Sequence, residues 1–131
     1  MIIQTQVLIS GLICGLILFQ SAFVAPTVFR DLPEENRPII LRSLFPKLFK
    51  SITVAGILFL IATFLEGSNT AISWVVGTFT FLSGLICNGM IAATNKARDN
   101  GNDKLFPIYH RVSVLLTISV LVINLTWIFI I

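Results

Sequence analysis

Residues 5–29 read TQVLISGLICGLILFQSAFVAPTVF and contain no charged side chain. About 20 apolar residues in a helix cross a bilayer core roughly 30 Å thick. Three further apolar runs follow, at residues 48–65, 71–93 and 109–131, with Lys50 and Arg111 near the start of the first and last of them. The whole chain of 131 residues is 56% hydrophobic and 11% charged, where a soluble domain carries about 25% charge. In hydrocarbon the backbone must pair with itself, so only helices and closed barrels span it. None of the four runs alternates apolar and polar residues as barrel strands do. The expectation is an all-α membrane protein, a four-transmembrane-helix bundle forming a single domain over residues 1–131. The first run has no basic residue before it and no small-x-small cleavage site close behind it, so it is read as a retained span and not a signal peptide.

The nine cations are Arg30, Arg37, Arg42, Lys47, Lys50, Lys96, Arg98, Lys104 and Arg111. All lie in or beside the first and third connections. The second connection, EGSN at 66–69, carries Glu66 and no cation. The positive-inside rule places the basic connections in the cytoplasm and both termini outside it, in the inner membrane for a bacterial chain. Membrane lipids are then the expected partners of the basic residues, through their phosphates, and no nucleic acid is needed to account for the positive balance.

Short motifs recur. SGLIC stands at 10–14 and at 83–87, Arg-Asp at 30–31 and 98–99, and Leu-Phe-Pro at 44–46 and 105–107. Their common order points to a helical hairpin used twice in parallel, related by an axis along the membrane normal. Proline suits a helix's first turn, so Pro46 and Pro107 are expected to start the second and fourth helices. In that frame His110 falls opposite Phe49 and is not part of the shared device. The first connection, DLPEENRPIILRSLF, spaces Ile40, Leu41, Leu44 and Phe45 along one face and reads as a short interfacial helix. Pro26 is expected to kink the first span and free a carbonyl near Ala22.

Polar residues at depth are few. Gln20 and Asn88 each lie ten residues before an arginine, and Thr63 and Asn124 each lie thirteen after a cation. Uncharged polar groups in a span either glue helices together or line a path or cavity. Gly11 and Gly15 in the first span, and Thr80, Gly84, Asn88 and Ala92 in the third, would let backbones approach. Cys14 and Cys87 are expected to be buried, inert thiols; their spacing does not imply a disulfide.

The segments FVAPTVFRDLP (23–33), LFPKLF (44–49), NGMIAATNKARD (88–99) and FPIYHRVSVLLT (106–117) resemble the transmembrane-protein-205-like family (domain of unknown function 4149). The resemblance implies four spans, with the family positions at Phe29, Arg30, Leu32, Pro33, Leu44, Phe45, Pro46, Tyr109, His110 and Ser113. It also implies a general link with resistance to metal compounds and a distant likeness to small heme- and copper-handling four-helix membrane proteins. Family members can carry a histidine near the start of the first span, where this chain has Gln4, Thr5 and Gln6. His110, the only histidine, is therefore a candidate ligand for heme or a metal only with help from Met90 or a neighbouring subunit. The other reading of His110 is an interfacial structural or proton-sensing residue.

With no catalytic set in the sequence, the leading function is a non-enzymatic homo-oligomer that handles a small solute or ion. The alternatives are a structural or assembly subunit of a larger membrane complex and a heme- or copper-binding membrane protein. On the topology read here, a cysteine at Ser68 reacts with an impermeant thiol reagent in intact cells and one at Asn100 does not. The opposite labelling pattern reverses the orientation.

Overall fold

The computed structural model describes residues 2–67 and 71–130. Ser68, Asn69 and Thr70, in the second connection, lie outside the described residues. Helix α1 spans Ile2–Phe19, followed without a break by a π-helical turn, Gln20–Val24, and by α2, Ala25–Asp31. Helix α3 spans Arg37–Glu66, α4 Ala71–Asp99 and α5 Leu105–Ile130. The described residues form four membrane-spanning stretches, Ile3–Asp31, Arg37–Glu66, Ala71–Asp99 and Leu105–Ile130, each long and apolar enough to cross a bilayer. The chain is a multi-pass membrane protein folded as an all-α four-helix bundle.

The outer surface supports that placement. Leu12 is 64% exposed, Phe64 73% and Phe129 81%, among many large apolar side chains turned outward. Soluble monomers do not leave so much contiguous apolar area facing water. Inside, α1 packs on α3 and α5, and α4 packs on the same two helices. Ile9, Ile13 and Ile17 face the core from α1 at one-turn spacing, meeting Ile52 and Phe59 of α3, Cys87 of α4, and Val120 and Trp127 of α5. Phe59 and Trp127 meet edge to face, with centroids 5.1 Å apart.

The tightest seam joins α3 to α4. A Cβ built on Gly56 would lie 2.5 Å from the backbone nitrogen of Phe81, and one on Gly84 2.7 Å from that of Thr53. Only a residue without a side chain allows two helix backbones this close. The buried face of α4, with Ser73, Val76, Gly77, Thr80, Ser83, Gly84 and Cys87, is built mostly of small residues and keeps the helical period.

Two expectations about the first connection need correction. No separate interfacial helix precedes the second span. Residues 37–45 are the opening turns of α3 itself, and the connection shrinks to residues 32–36. Pro46 lies inside α3 and does not start it. Its missing N–H would leave the carbonyl of Arg42 unpaired, but Arg42 is an exposed residue at the basic end, where water can take that carbonyl. The stack of Phe45 on Phe49, 6.0 Å apart, carries one packed face through the proline. At about 1.5 Å per residue α3 is some 45 Å long, so its first turns stand beyond the hydrocarbon. The ion pair of Arg42 with Asp99 ties them to the end of α4.

Pro107, by contrast, falls in the first turn of α5. Asn102 precedes it and its Oδ1 accepts the backbone N–H groups of Lys104 and Leu105, at 3.2 and 3.0 Å. Gly101, at φ +62°, turns the chain out of α4. The two Leu-Phe-Pro copies thus hold different places in their helices and give the duplicated hairpin no support. The two Arg-Asp pairs do both close a helix before a five-residue connection.

The seam makes a specific demand. Gly56→Ala should lower thermal stability in detergent by about 1–3 kcal/mol through overpacking. Gly11→Ala should be neutral or slightly stabilising, because nothing lies within 4 Å of its added Cβ. Equal melting temperatures for the two variants would rule out the close seam.

Candidate functional site

The two ends of the bundle differ. At the end that holds the N-terminus of α1, side chains from all four spans join in a buried hydrogen-bonded belt. Gln6 donates through Nε2 to Thr63 Oγ1 at 3.0 Å, and Thr63 donates to the carbonyl of Phe59 at 2.9 Å. Ser10 donates to Asn124 Oδ1 at 3.0 Å. Asn124 Nδ2 donates to Thr80 Oγ1 at 2.8 Å and to the carbonyl of Val120 at 2.9 Å. Ser10, Thr80 and Asn124 have no exposed surface at all. Gln6 Oε1 is buried with no partner. Sequence reasoning singled out Thr63 and Asn124 but not Gln6 or Ser10. The missed signal was their one-turn spacing, which continues through Ile13 and Ile17 as the buried face of α1.

At the basic end the bundle opens. Pro26 has no N–H for the carbonyl of Ala22, and the helix accommodates it by widening: the N–H of Ala25 reaches back to the carbonyl of Gln20. The expected disturbance at Pro26 therefore takes the form of a π-helical turn in a continuous helix. Beyond it, α2 touches α3 and the turn before it, and neither α4 nor α5. The space left between α2, α3, α4 and α5 is a cavity of about 600 Å³.

The depth of that cavity is apolar, with Ile17, Phe49, Ile118 and Leu121 on its walls. Gln20, Ser113 and Thr117 add polar groups partway up, and Glu34, Arg37, Arg42, Arg98 and His110 surround its basic end. Thr117 donates to the carbonyl of Ser113 at 2.7 Å. The Nε2 of Gln20 is buried and has no partner. Phe106 stacks on His110 with centroids 5.8 Å apart, and Arg98 lies 5.1 Å from the centre of the Phe106 ring. Arg37 sits 5.7 Å from the centre of the Phe29 ring and donates to the carbonyl of Leu32 at 3.0 Å.

Of the sequence-predicted residues, the cavity brings together Gln20, His110, Ser113, Phe29 and Phe45. Thr63 and Asn124 lie in the belt. Asn88 is in neither: it is half-buried, outside the lining, and makes no hydrogen bond among the described residues. Gln20 and Asn88 therefore have different surroundings. Met90 is half-buried and outside the lining that holds His110. Among the described residues no three His, Cys, Asp or Glu side chains cluster as metal ligands. Cys14 and Cys87 are free, buried thiols donating to the carbonyls of Leu121 and Ser113, both at 3.8 Å. Leu44 and Pro46 are half-buried in α3, Tyr109 is half-buried in α5, and Leu32 and Pro33 belong to the first connection. Arg30 is paired with Asp31 at 2.6 Å.

A family model described as a domain of unknown function (DUF4149) matches residues 8–103, and the chain belongs to that family. No curated protein and no solved structure matches it.

The belt and Asn88 give opposite expectations for one chemical change. Asn124→Leu removes three hydrogen bonds and strands Ser10 and Thr80. At about 0.6 kcal/mol per hydrogen bond between membrane helices it should cost about 2 kcal/mol. Asn88→Leu should leave the stability of the single chain within about 0.5 kcal/mol. Thermal unfolding in detergent measures both, and equal losses would remove the distinction.

Proposed function

We propose that this member of the DUF4149 family is a non-enzymatic membrane protein that takes a small organic solute into its bundle from the basic end. The observation that carries the reading is the cavity of about 600 Å³ with an unpaired, buried amide donor of Gln20 on its wall. Its size falls in the range of about 300–1,000 Å³ usual for sites of small organic ligands, and its walls have the usual apolar character with a few placed polar groups. A bare ion would leave most of such a space unfilled. At the far end the belt of Gln6, Ser10, Thr63, Thr80 and Asn124 closes the bundle. Passage across the membrane would require that belt to part; binding from the basic end would not.

Contact with a second membrane helix, in a homo-oligomer or a larger complex, is part of the same reading. Its support is the Asn88 amide, which has no hydrogen-bond partner among the described residues, and the open face at Gly11 and Gly15. Hydrocarbon is a poor surrounding for such an amide, and another helix could supply a partner. The finer likeness to the transmembrane-protein-205-like proteins and their link with metal compounds rests in part on Tyr109 and His110, which lie beyond the matched residues 8–103.

Accessibility of the cavity tests the reading. In a chain with Cys14 and Cys87 replaced by alanine, Thr117→Cys should react with a small hydrophilic methanethiosulfonate supplied to the basic end. Ser83→Cys, in the buried face of α4, should not. A silent Thr117→Cys would mean that solutes do not reach the cavity.

A further inference from the structure

We infer that the ligand of this cavity is a single-chain anionic amphiphile, whose carboxylate or phosphate head lies between Arg37 and Arg98 and whose tail fills the apolar depth. The inference rests on the solute-binding reading above and adds the chemical class. It begins with the arginines. Arg42 is paired with Asp99, but neither Arg37 nor Arg98 has a carboxylate partner among the described residues. Each is instead near an aromatic ring, Phe29 for Arg37 and Phe106 for Arg98. Such a seat restrains a guanidinium and leaves in-plane N–H donors free. Planar donor forks of this kind match the oxygens of carboxylate and phosphate. Glu34 is the only acid in the lining and forms no ion pair with either arginine.

The rest of the cavity selects against other ligands. A cation would meet Arg37, Arg42 and Arg98. A small inorganic anion would satisfy the rim and leave the space lined by Ile17, Ile118 and Leu121 unfilled. A neutral apolar molecule would fill that space and leave Arg37 and Arg98 unpaired. An amphiphile satisfies both zones, and the buried Nε2 of Gln20 offers a donor to a carbonyl or head oxygen. The backbone of α2 does not pack against α5, and a tail that entered between these two segments would stay in hydrocarbon.

The test uses the purified full-length chain in nanodiscs of uncharged phosphatidylcholine, with a dansyl-labelled fatty acid as the probe. Saturable binding is expected, displaced by an unlabelled fatty acid or by lysophosphatidic acid; the stronger competitor identifies the head group. An alcohol of the same chain length should compete at least about tenfold more weakly. Arg37→Gln combined with Arg98→Gln should weaken binding by about tenfold or more. Thr117→Trp, which fills the depth and keeps both arginines, should abolish it. Retained elution volume and helicity check that each variant folds. Equal competition by the alcohol, or unchanged affinity in the double arginine variant, overturns the anionic class. If Thr117→Cys still reacts, the solute cavity itself survives that result. Non-saturable signal, or signal unchanged by Thr117→Trp, means that the probe sits in the bilayer and overturns the proposal.

Discussion

Pro26 has no hydrogen to give the carbonyl of Ala22, and the architecture of the basic end depends on that deficit. In water a freed carbonyl is solvated at little cost; in hydrocarbon it must find another donor. Here the turn before the proline is π-helical, with the N–H of Ala25 bonded to the carbonyl of Gln20, and the chain continues as α2 without a break. Helix α1 packs on α5, while α2 does not. Pro26 stands next to the point along the span where packing on α5 ends. It also places Gln20 at the junction, with its amide donor unpaired beside the cavity.

The closed half depends on small residues and neutral polar ones, and each restricts the other. Gly56 and Gly84 bring α3 and α4 to backbone contact, which leaves room for short hydroxyls but not for long side chains. Thr80 and Thr63 fit, and the longer Asn124 and Gln6 reach across from α5 and α1 to meet them. Lipid tails are as apolar as leucine, so burial of leucine alone would not hold these helices in register. Directional bonds do, and all five belt side chains are less than a tenth exposed. The open half has no such belt. Its helices are held by Arg42 to Asp99 across α3 and α4 and by the rings near the rim.

The four spans were legible because length and apolarity suffice to specify a membrane helix. Their ends were less so. Leu-Phe-Pro reads identically at 44–46 and 105–107, yet one copy is helix interior and the other a first turn. The difference lies in the residues before it: Asn102 and Gly101 stop and restart the chain, whereas residues 39–45 hold no residue that does. Thr63 and Asn124 were identifiable as polar residues far from the cations. Gln6 and Ser10 were not, because polar residues near the start of a span read as interfacial until their one-turn spacing with Ile13 and Ile17 is followed. The arginines were read as orientation signals and not as neighbours of one cavity. Their convergence on one cavity depends on α3 continuing through Pro46, which local sequence rules oppose.

Those arginines have two consequences that share one physical origin. Positive charge gathered at one end of a bundle orients it in the membrane, and the same charge raises the local potential wherever the helices part. Field lines concentrate in a cleft with low-dielectric walls. A guanidinium at such a rim interacts with an anion more strongly than one on an open surface, where water and salt screen it. Beyond Gln20 the basic rim and the apolar depth belong to one cavity. Neither the charge bias nor the π-helical turn alone would define a ligand. Together they put a basic rim and an apolar depth into one cavity.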